Sequence, residues 1–134
     1  RIQAAPVVLT AALTTRQAVV SYLLAHQPEK IWLVGSGWEG DYSLEDTVCA
    51  GAIIQGVLTK TQTKPAELAG NDAAIAANSL FLQWQTQLLE LLHLASHGQR
   101  LLKQDNTADL AYCAQIDTLE VVPIQQSPGV LVWQ

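Results

Sequence analysis

Lys30-Ile31-Trp32-Leu33-Val34-Gly35-Ser36-Gly37-Trp38-Glu39-Gly40-Asp41-Tyr42-Ser43-Leu44-Glu45-Asp46 is the stretch whose reading decides the fold. Residues 30–34 form a continuous apolar run of strand length. A run apolar on both faces suits a central parallel strand covered by helices. A loop with three glycines follows. Ser43-Leu44-Glu45-Asp46 then reads as a helix start, with Ser43 as N-cap and Asp46 three residues on. Both acids fall in the first turn, where the helix dipole favours negative charge. The helix continues through Val48, Cys49, Ala52, Ile53 and Val57 and frays near Lys60. Its small residues Ala50, Gly51 and Ala52 permit close packing on a sheet.

Upstream, residues 6–10 are short and β-branched, as a strand would be. Thr14-Thr15-Arg16-Gln17 fits a capping box with Thr14 as N-cap, followed by Ala18, Val19, Tyr22 and Leu23 at helical spacing. Gln27-Pro28-Glu29 stops that helix. Downstream, residues 59–70 are polar and read as a loop. A long helix is predicted over 72–94, striped by Leu80, Trp84, Leu88, Leu91 and Ala95 and widened by Phe81, Leu82, Leu89 and Leu92. Its face is broad enough to call for cover from another chain or from a part not present here. Ser96-His97-Gly98-Gln99 and Asn106-Thr107-Ala108-Asp109 are two more capping signals. Residues 119–124 read as a strand, 125–129 as a turn and 130–133 as a closing strand. That pair makes a hairpin at a sheet edge, where Pro123 is tolerated. The β-α-β-α order predicts an α/β fold, a mostly parallel sheet flanked by helices with a C-terminal β-hairpin. There is no internal repeat.

The 134 residues are 49% hydrophobic and 14% charged, enough for a core and too little charge for a disordered chain. Length points to one domain over 1–134. With 7 basic and 12 acidic residues the net charge is -5, and no basic face offers itself to nucleic acid. No apolar run reaches the roughly 20 residues that span a bilayer, and no signal peptide is visible. Cys49 and Cys113 read as reduced, packed thiols of a cytoplasmic protein. Without a CxxC pair and with scattered histidines, a structural zinc is not expected. The chain opens on Arg1, which suggests a processed chain or a fragment.

Chemistry is expected at the loop over 35–42. Open α/β sheets hold ligands at the carboxyl ends of strands, above helix N-termini. Gly35-x-Gly37-x-x-Gly40 matches the dinucleotide fingerprint in letters only. The helix signal waits until Ser43, no acid lies near Gln55, and Glu39, Asp41, Glu45 and Asp46 would repel a pyrophosphate. A metal-assisted phosphate site is the alternative. Mg²⁺ takes one or two carboxylates plus waters and substrate oxygens, and glycine N–H groups with Ser36 suit a phosphate. The plain reading of Glu45 and Asp46 remains dipole partners, with Asp46 closing the capping box. His97 reads as a general acid or an ordinary helix-start residue. Arg100 reads as an oxyanion contact or a solvated side chain. Asp109 and Asp117 read as local caps or pairs. His26 and His93 read as helix C-terminal dipole contacts or exposed side chains, and Trp32, Trp84 and Trp133 as core or interface residues.

The run Gly35-Ser36-Gly37-Trp38-Glu39-Gly40-Asp41-Tyr42-Ser43-Leu44-Glu45-Asp46-Thr47-Val48-Cys49-Ala50-Gly51-Ala52-Ile53 resembles the signature of the 2-phosphosulfolactate phosphatases. Ser96-His97-Gly98, Arg100-Leu101, Asp109, Cys113, Asp117 and Val122-Pro123 resemble that family's C-terminal pattern, in order. The likeness runs from about Ile31 to Pro123. It implies an α/β enzyme of Mg²⁺-dependent type, hydrolysing (R)-2-phospho-3-sulfolactate to 3-sulfolactate and phosphate on the route to coenzyme M. It implies Glu39, Glu45 and Asp46 as metal ligands, with Glu39, Glu45 and His97 as catalytic groups. Ser36, Gly37 and Arg100 become the contacts to a small phosphorylated acid.

The likeness covers only about the C-terminal half of the family. An Asp-Val-Leu-Arg-Ala-Thr-Thr-like stretch and a Thr-Asn-Gly-Thr-like stretch, both suited to phosphate chemistry, are missing. This predicts the C-terminal part of a larger α/β protein, inactive alone if those motifs complete the site, and either pairing with the missing N-terminal half or forming a homo-oligomer. Gly35-Ser36 stands where many members have Ala-Gly or Cys-Gly, and Trp38 where a smaller residue is common. Two other readings stay open, a non-catalytic oligomerising fragment and a nucleotide-binding α/β module.

Overall fold

The computed structural model describes residues 5–133. Helices dominate. A 3-10 turn at Leu13–Thr15 leads into α1 (Arg16–His26), followed by α2 (Leu44–Thr61), α3 (Pro65–Leu68), α4 (Asp72–Trp84), α5 (Leu88–Leu94), α6 (Ser96–Lys103) and α7 (Thr107–Cys113). A hairpin of β1 (Pro123–Ser127) and β2 (Val130–Trp133) closes the chain.

Helix α2 is the hub. Gly51 lies so close to α4 that a Cβ there would sit 2.0 Å from the Ala77 carbonyl oxygen. Val20 of α1 packs onto Gly56 in the same way, 2.7 Å from where a Cβ would stand. Two apolar clusters flank this helix. One joins Leu13, Val48, Ala52, Phe81, Leu88 and Leu91, the other Val19, Val20, Ile53, Val57 and Val122. Cys49 touches both. Burying such side chains is the main favourable term in the fold.

The capping signals fare unequally. Ser43 caps α2 as expected, its hydroxyl accepting the Asp46 N–H at 3.1 Å. The helix expected from Asp72 starts there, capped by Asn71, whose side chain accepts the Ala74 N–H. Thr14 is not the cap of α1. The 3-10 turn takes its place, and the Gln17 N–H is met at 2.6 Å by the carboxylate of Asp117, one hundred residues away. Asp117 also pairs with the Arg16 guanidinium. It is thus a long-range clamp and not a local cap. At α6 and α7 no side chain caps the first turn.

The helix expected over 72–94 is two helices. Gln87 N–H closes back on the Trp84 carbonyl at 2.8 Å, and the Gln85 side chain bonds the Leu82 carbonyl. The polar triplet Gln85-Thr86-Gln87 thus turns the chain while the apolar stripe continues across it. Its face is incompletely covered, with Ile75, Leu82, Leu89 and Leu94 exposed.

The hairpin is present, with β1 displaced a few residues toward the C-terminus. Pro123 faces Trp133, Ile124 faces Val132, Gln125 faces Leu131, and a register shift precedes the Ser127–Val130 pair. On the outer side of β1, Thr10 N–H bonds the Pro123 carbonyl and Gln125 N–H bonds the Val8 carbonyl. The strand expected over 6–10 is therefore reduced to one antiparallel bridge, Leu9 to Ile124.

The mostly parallel sheet is not formed among the described residues; their only sheet is this antiparallel pair. Residues 30–34 run without strand pairing, and Trp32 is 75% and Val34 62% exposed. A parallel strand is stabilised by neighbours on both edges and helices on both faces. Helix α2 supplies one face, and no flanking strand lies beside the run among the described residues. What remains is an open groove of about 890 Å³ between residues 28–37 and helices α2 and α4.

Candidate functional site

Three left-handed residues, Gly37, Glu39 and Gly40, build the loop beyond residue 34. Trp38 and Asp41 exchange backbone hydrogen bonds, Asp41 N–H to the Trp38 carbonyl at 2.9 Å and Trp38 N–H to the Asp41 carbonyl at 3.3 Å. The two residues between them, Glu39 (φ 51°) and Gly40 (φ 88°), are both left-handed. That is the backbone of a type I′ turn, which favours Asn or Gly at the first of these positions. Glu39 occupies it instead, at the exposed tip. Gly37 is obligatory on two counts: its φ is 67°, and a Cβ would come within 2.6 Å of the Asp41 carbonyl oxygen.

The loop is tied to α2 by Asp46. Its Oδ2 accepts the Gly37 N–H at 2.9 Å and the Ser36 hydroxyl at 3.4 Å. Ser43 and Asp46 thus form half of a capping box. The hydroxyl caps the helix, while the carboxylate turns away to hold the glycine loop. Glu45 is half-buried in the same first turn. The Asp46 charge also reaches Cys49, one helical turn on. Burial and, secondarily, that charge push the Cys49 thiol up from 9.0 to about 11. Cys49 is therefore a protonated packing residue. Cys113, expected to be packed, is exposed, and both thiols are free.

A second tether comes from α6. His97 and Arg100, three apart, share one helical face. Trp38 meets both, with the Arg100 guanidinium carbon 4.1 Å from its ring centroid and the His97 ring 5.3 Å away at 49°. The approach of α6 to α5 fixes this placement, since a Cβ on Gly98 would stand 1.7 Å from the Leu92 carbonyl oxygen. His97 Nδ1 is buried with no hydrogen-bond partner.

Of the residues singled out from sequence, then, Ser36, Gly37 and Asp46 are bonded together, and His97 and Arg100 both pack against the neighbouring Trp38. Glu39 stands at the turn tip. Among the described residues no three His, Cys, Asp or Glu side chains gather as a metal-binding group. His26 makes the expected contact at a helix C-terminus, with Nδ1 2.8 Å from the Tyr22 carbonyl. Sequence reasoning missed Trp38 as an organiser. The i, i+3 spacing of His97 and Arg100 was the available signal, because two such side chains can share one aromatic partner.

A glycine loop held by the Asp46 carboxylate thus lies beside Trp38, Arg100 and His97. Comparison with known proteins gives it a family. The family model described as 2-phosphosulpholactate phosphatase matches residues 1–128. The chain belongs to that family. A relative from Nostoc punctiforme, named probable 2-phosphosulfolactate phosphatase, is 60% identical over 131 residues, which is 98% of this chain and 53% of the relative. One of the same name from Thermosynechococcus vestitus is 59% identical over 132 residues, 98% of this chain and 54% of the relative. The chain spans about half the length of the curated relatives it matches. No helix among the described residues is long and apolar enough to cross a membrane.

Proposed function

We propose that this chain carries the carboxyl-terminal part of a Mg²⁺-dependent phosphatase that hydrolyses (R)-2-phospho-3-sulfolactate to 3-sulfolactate and phosphate, on a cytoplasmic route to coenzyme M. The observation that carries the proposal is the family match over residues 1–128. In this reading the remaining half of the family's length completes both the sheet and the site, and residues 30–34 become a parallel strand.

The donor chemistry suits magnesium. The ion accepts one or two carboxylates and leaves its other positions to water and substrate. Glu39 at the turn tip, Glu45 in the first turn of α2 and the second oxygen of Asp46 are hard donors that do not close into a cage among the described residues. When bound there, the ion would offset phosphate charge and polarise a phosphoryl oxygen. The Ser36 hydroxyl, held by Asp46 only at 3.4 Å, turns to the phosphate, Gly37 keeps the loop in place through its N–H bond to Asp46, and Arg100 holds an acidic group of the substrate. A carboxylate, Glu39 or Glu45, takes a proton from the attacking water as its oxygen bonds to phosphorus. The ester P–O bond breaks, and His97 gives the leaving oxygen its proton.

Phosphate release from phosphosulfolactate, measured by colorimetry with and without magnesium, tests this. The chain alone should be inactive, and a version extended to the relatives' full length should turn over only with magnesium. A folded full-length version that released no phosphate would overturn the reading.

A further inference from the structure

We propose that Trp38 is a positioning residue that presents the Arg100 guanidinium to the sulfonate of the substrate, a proposal that rests on the phosphatase reading above. Trp38 stands in the glycine loop, one residue from Gly37, whereas Arg100 belongs to α6. The indole ring links them, with the guanidinium carbon 4.1 Å from its centroid. A guanidinium over an aromatic ring at that distance is held by cation–π attraction, and no Arg100 N–H donates a hydrogen bond among the described residues, which leaves the fork open to a bidentate oxyanion. Among the described residues the one ion pair is Arg16 with Asp117, so no carboxylate competes for the Arg100 fork. His97 packs against the same ring and stiffens its setting.

Charge assigns the group. Glu39 of this loop, with Glu45 and Asp46 in the first turn of α2, belongs on the metal and phosphate side, where a bound ion would balance their charge. A sulfonate is a fixed monoanion that needs no metal, and a planar fork matches two of its oxygens. Trp38 thus joins the phosphate-handling loop to a sulfonate-handling helix and sets the distance between them.

The test has two arms. In the first, the 134-residue chain is titrated with methanesulfonate and, separately, with inorganic phosphate. The Arg100 Nε–H and Trp38 indole N–H signals are followed by NMR. Saturable shifts with methanesulfonate are expected, about two- to fivefold weaker in Trp38→Leu and recovered in Trp38→Phe, in line with the modest energy of an exposed cation–π contact. Arg100→Lys keeps the charge but loses the fork, and should lose the response even if Trp38→Leu fails to fold. In the second arm, the full-length version of Trp38→Leu should show a raised KM at unchanged kcat. No saturable methanesulfonate shift, tighter binding of phosphate than of methanesulfonate at these signals, or a lowered kcat with unchanged KM would each overturn the proposal. Sulfonate binding without any phosphatase activity would instead overturn the function and leave the sulfonate contact standing.

Discussion

Glu39 is the residue where conformation and chemistry pull apart. A left-handed φ costs a residue with a Cβ about 1–2 kcal/mol, and glycine gives back part of that as lost chain entropy. Glu39→Gly should therefore raise stability in urea unfolding by roughly 0.5–1 kcal/mol, while abolishing magnesium-dependent turnover in the full-length version. Glu39→Gln should leave stability unchanged and also abolish turnover. Retention of full activity by either variant would remove Glu39 from the site. Such strain at a chosen position is common where function holds it in place.

Cys49 gives a pH dependence whose sign follows from its setting. Its thiol holds a proton up to about pH 11 in the folded chain, whereas the unfolded thiol releases it near 9.0. Its contribution to stability is whole below pH 9, falls by up to about 1.4 kcal/mol per pH unit between 9 and 11, and is constant above. Unfolding curves from pH 8 to 11, with Cys49→Ala as the reference, measure that slope. Asp46→Asn should keep an acceptor for the Gly37 N–H but remove the lesser, charge-based cause. The alkylation midpoint of Cys49 should then move down while remaining above that of an exposed thiol. At pH 8, iodoacetamide should label the exposed Cys113 and spare Cys49; equal labelling would contradict the packing described above.

The elements show what local sequence can and cannot specify. Ser43 and Asn71 were legible as helix starts, or nearly so, because the cap lies within three residues of the group it satisfies. The start of α1 was not, because its cap comes from Asp117 across the fold. Asp117→Ala should cost about 1–3 kcal/mol, since it removes a charge-assisted pair and leaves the first turn of α1 unsatisfied. Asp117→Asn should cost less, because Asn still accepts the Gln17 N–H and tolerates the left-handed backbone (φ 57°) at that position. Equal loss in both variants would assign the effect to the Arg16 pair alone. The break after Trp84 was hidden for a different reason. Glutamine and threonine are ordinary helix residues, and the stripe from Leu80 to Leu91 keeps its period through them. Of the candidate site, the glycine loop and the start of α2 were legible from their spacing, whereas the hold of Asp46 on Gly37, in place of the closed capping box expected of it, was not. The Trp38 stack with α6 was not, since it joins residues about sixty apart.

At the scale of the molecule, the expected sheet tests how much of a fold is local. Residues 30–34 have the composition of a buried parallel strand, yet Ile31, Trp32 and Val34 lie exposed beside an open groove. Pattern dictates which surface should be covered, and only the covering chain makes it a strand. The chain matches 53% of the length of the Nostoc punctiforme relative, and about as much polypeptide again lies outside the match in that relative. Covering a side chain such as Trp32 or Val34 is worth about 1.5–3 kcal/mol each, enough together for measurable association. Mixing this chain with the remaining half of that relative should shift Trp32 emission to the blue and protect the amides of 31–34 from hydrogen exchange. Trp32→Ser should abolish both effects while leaving the thermal midpoint of the isolated chain unchanged, because the side chain is already in water there. Protection of those amides in the isolated chain, or association undisturbed by Trp32→Ser, would show that the run is not the missing strand of a shared sheet.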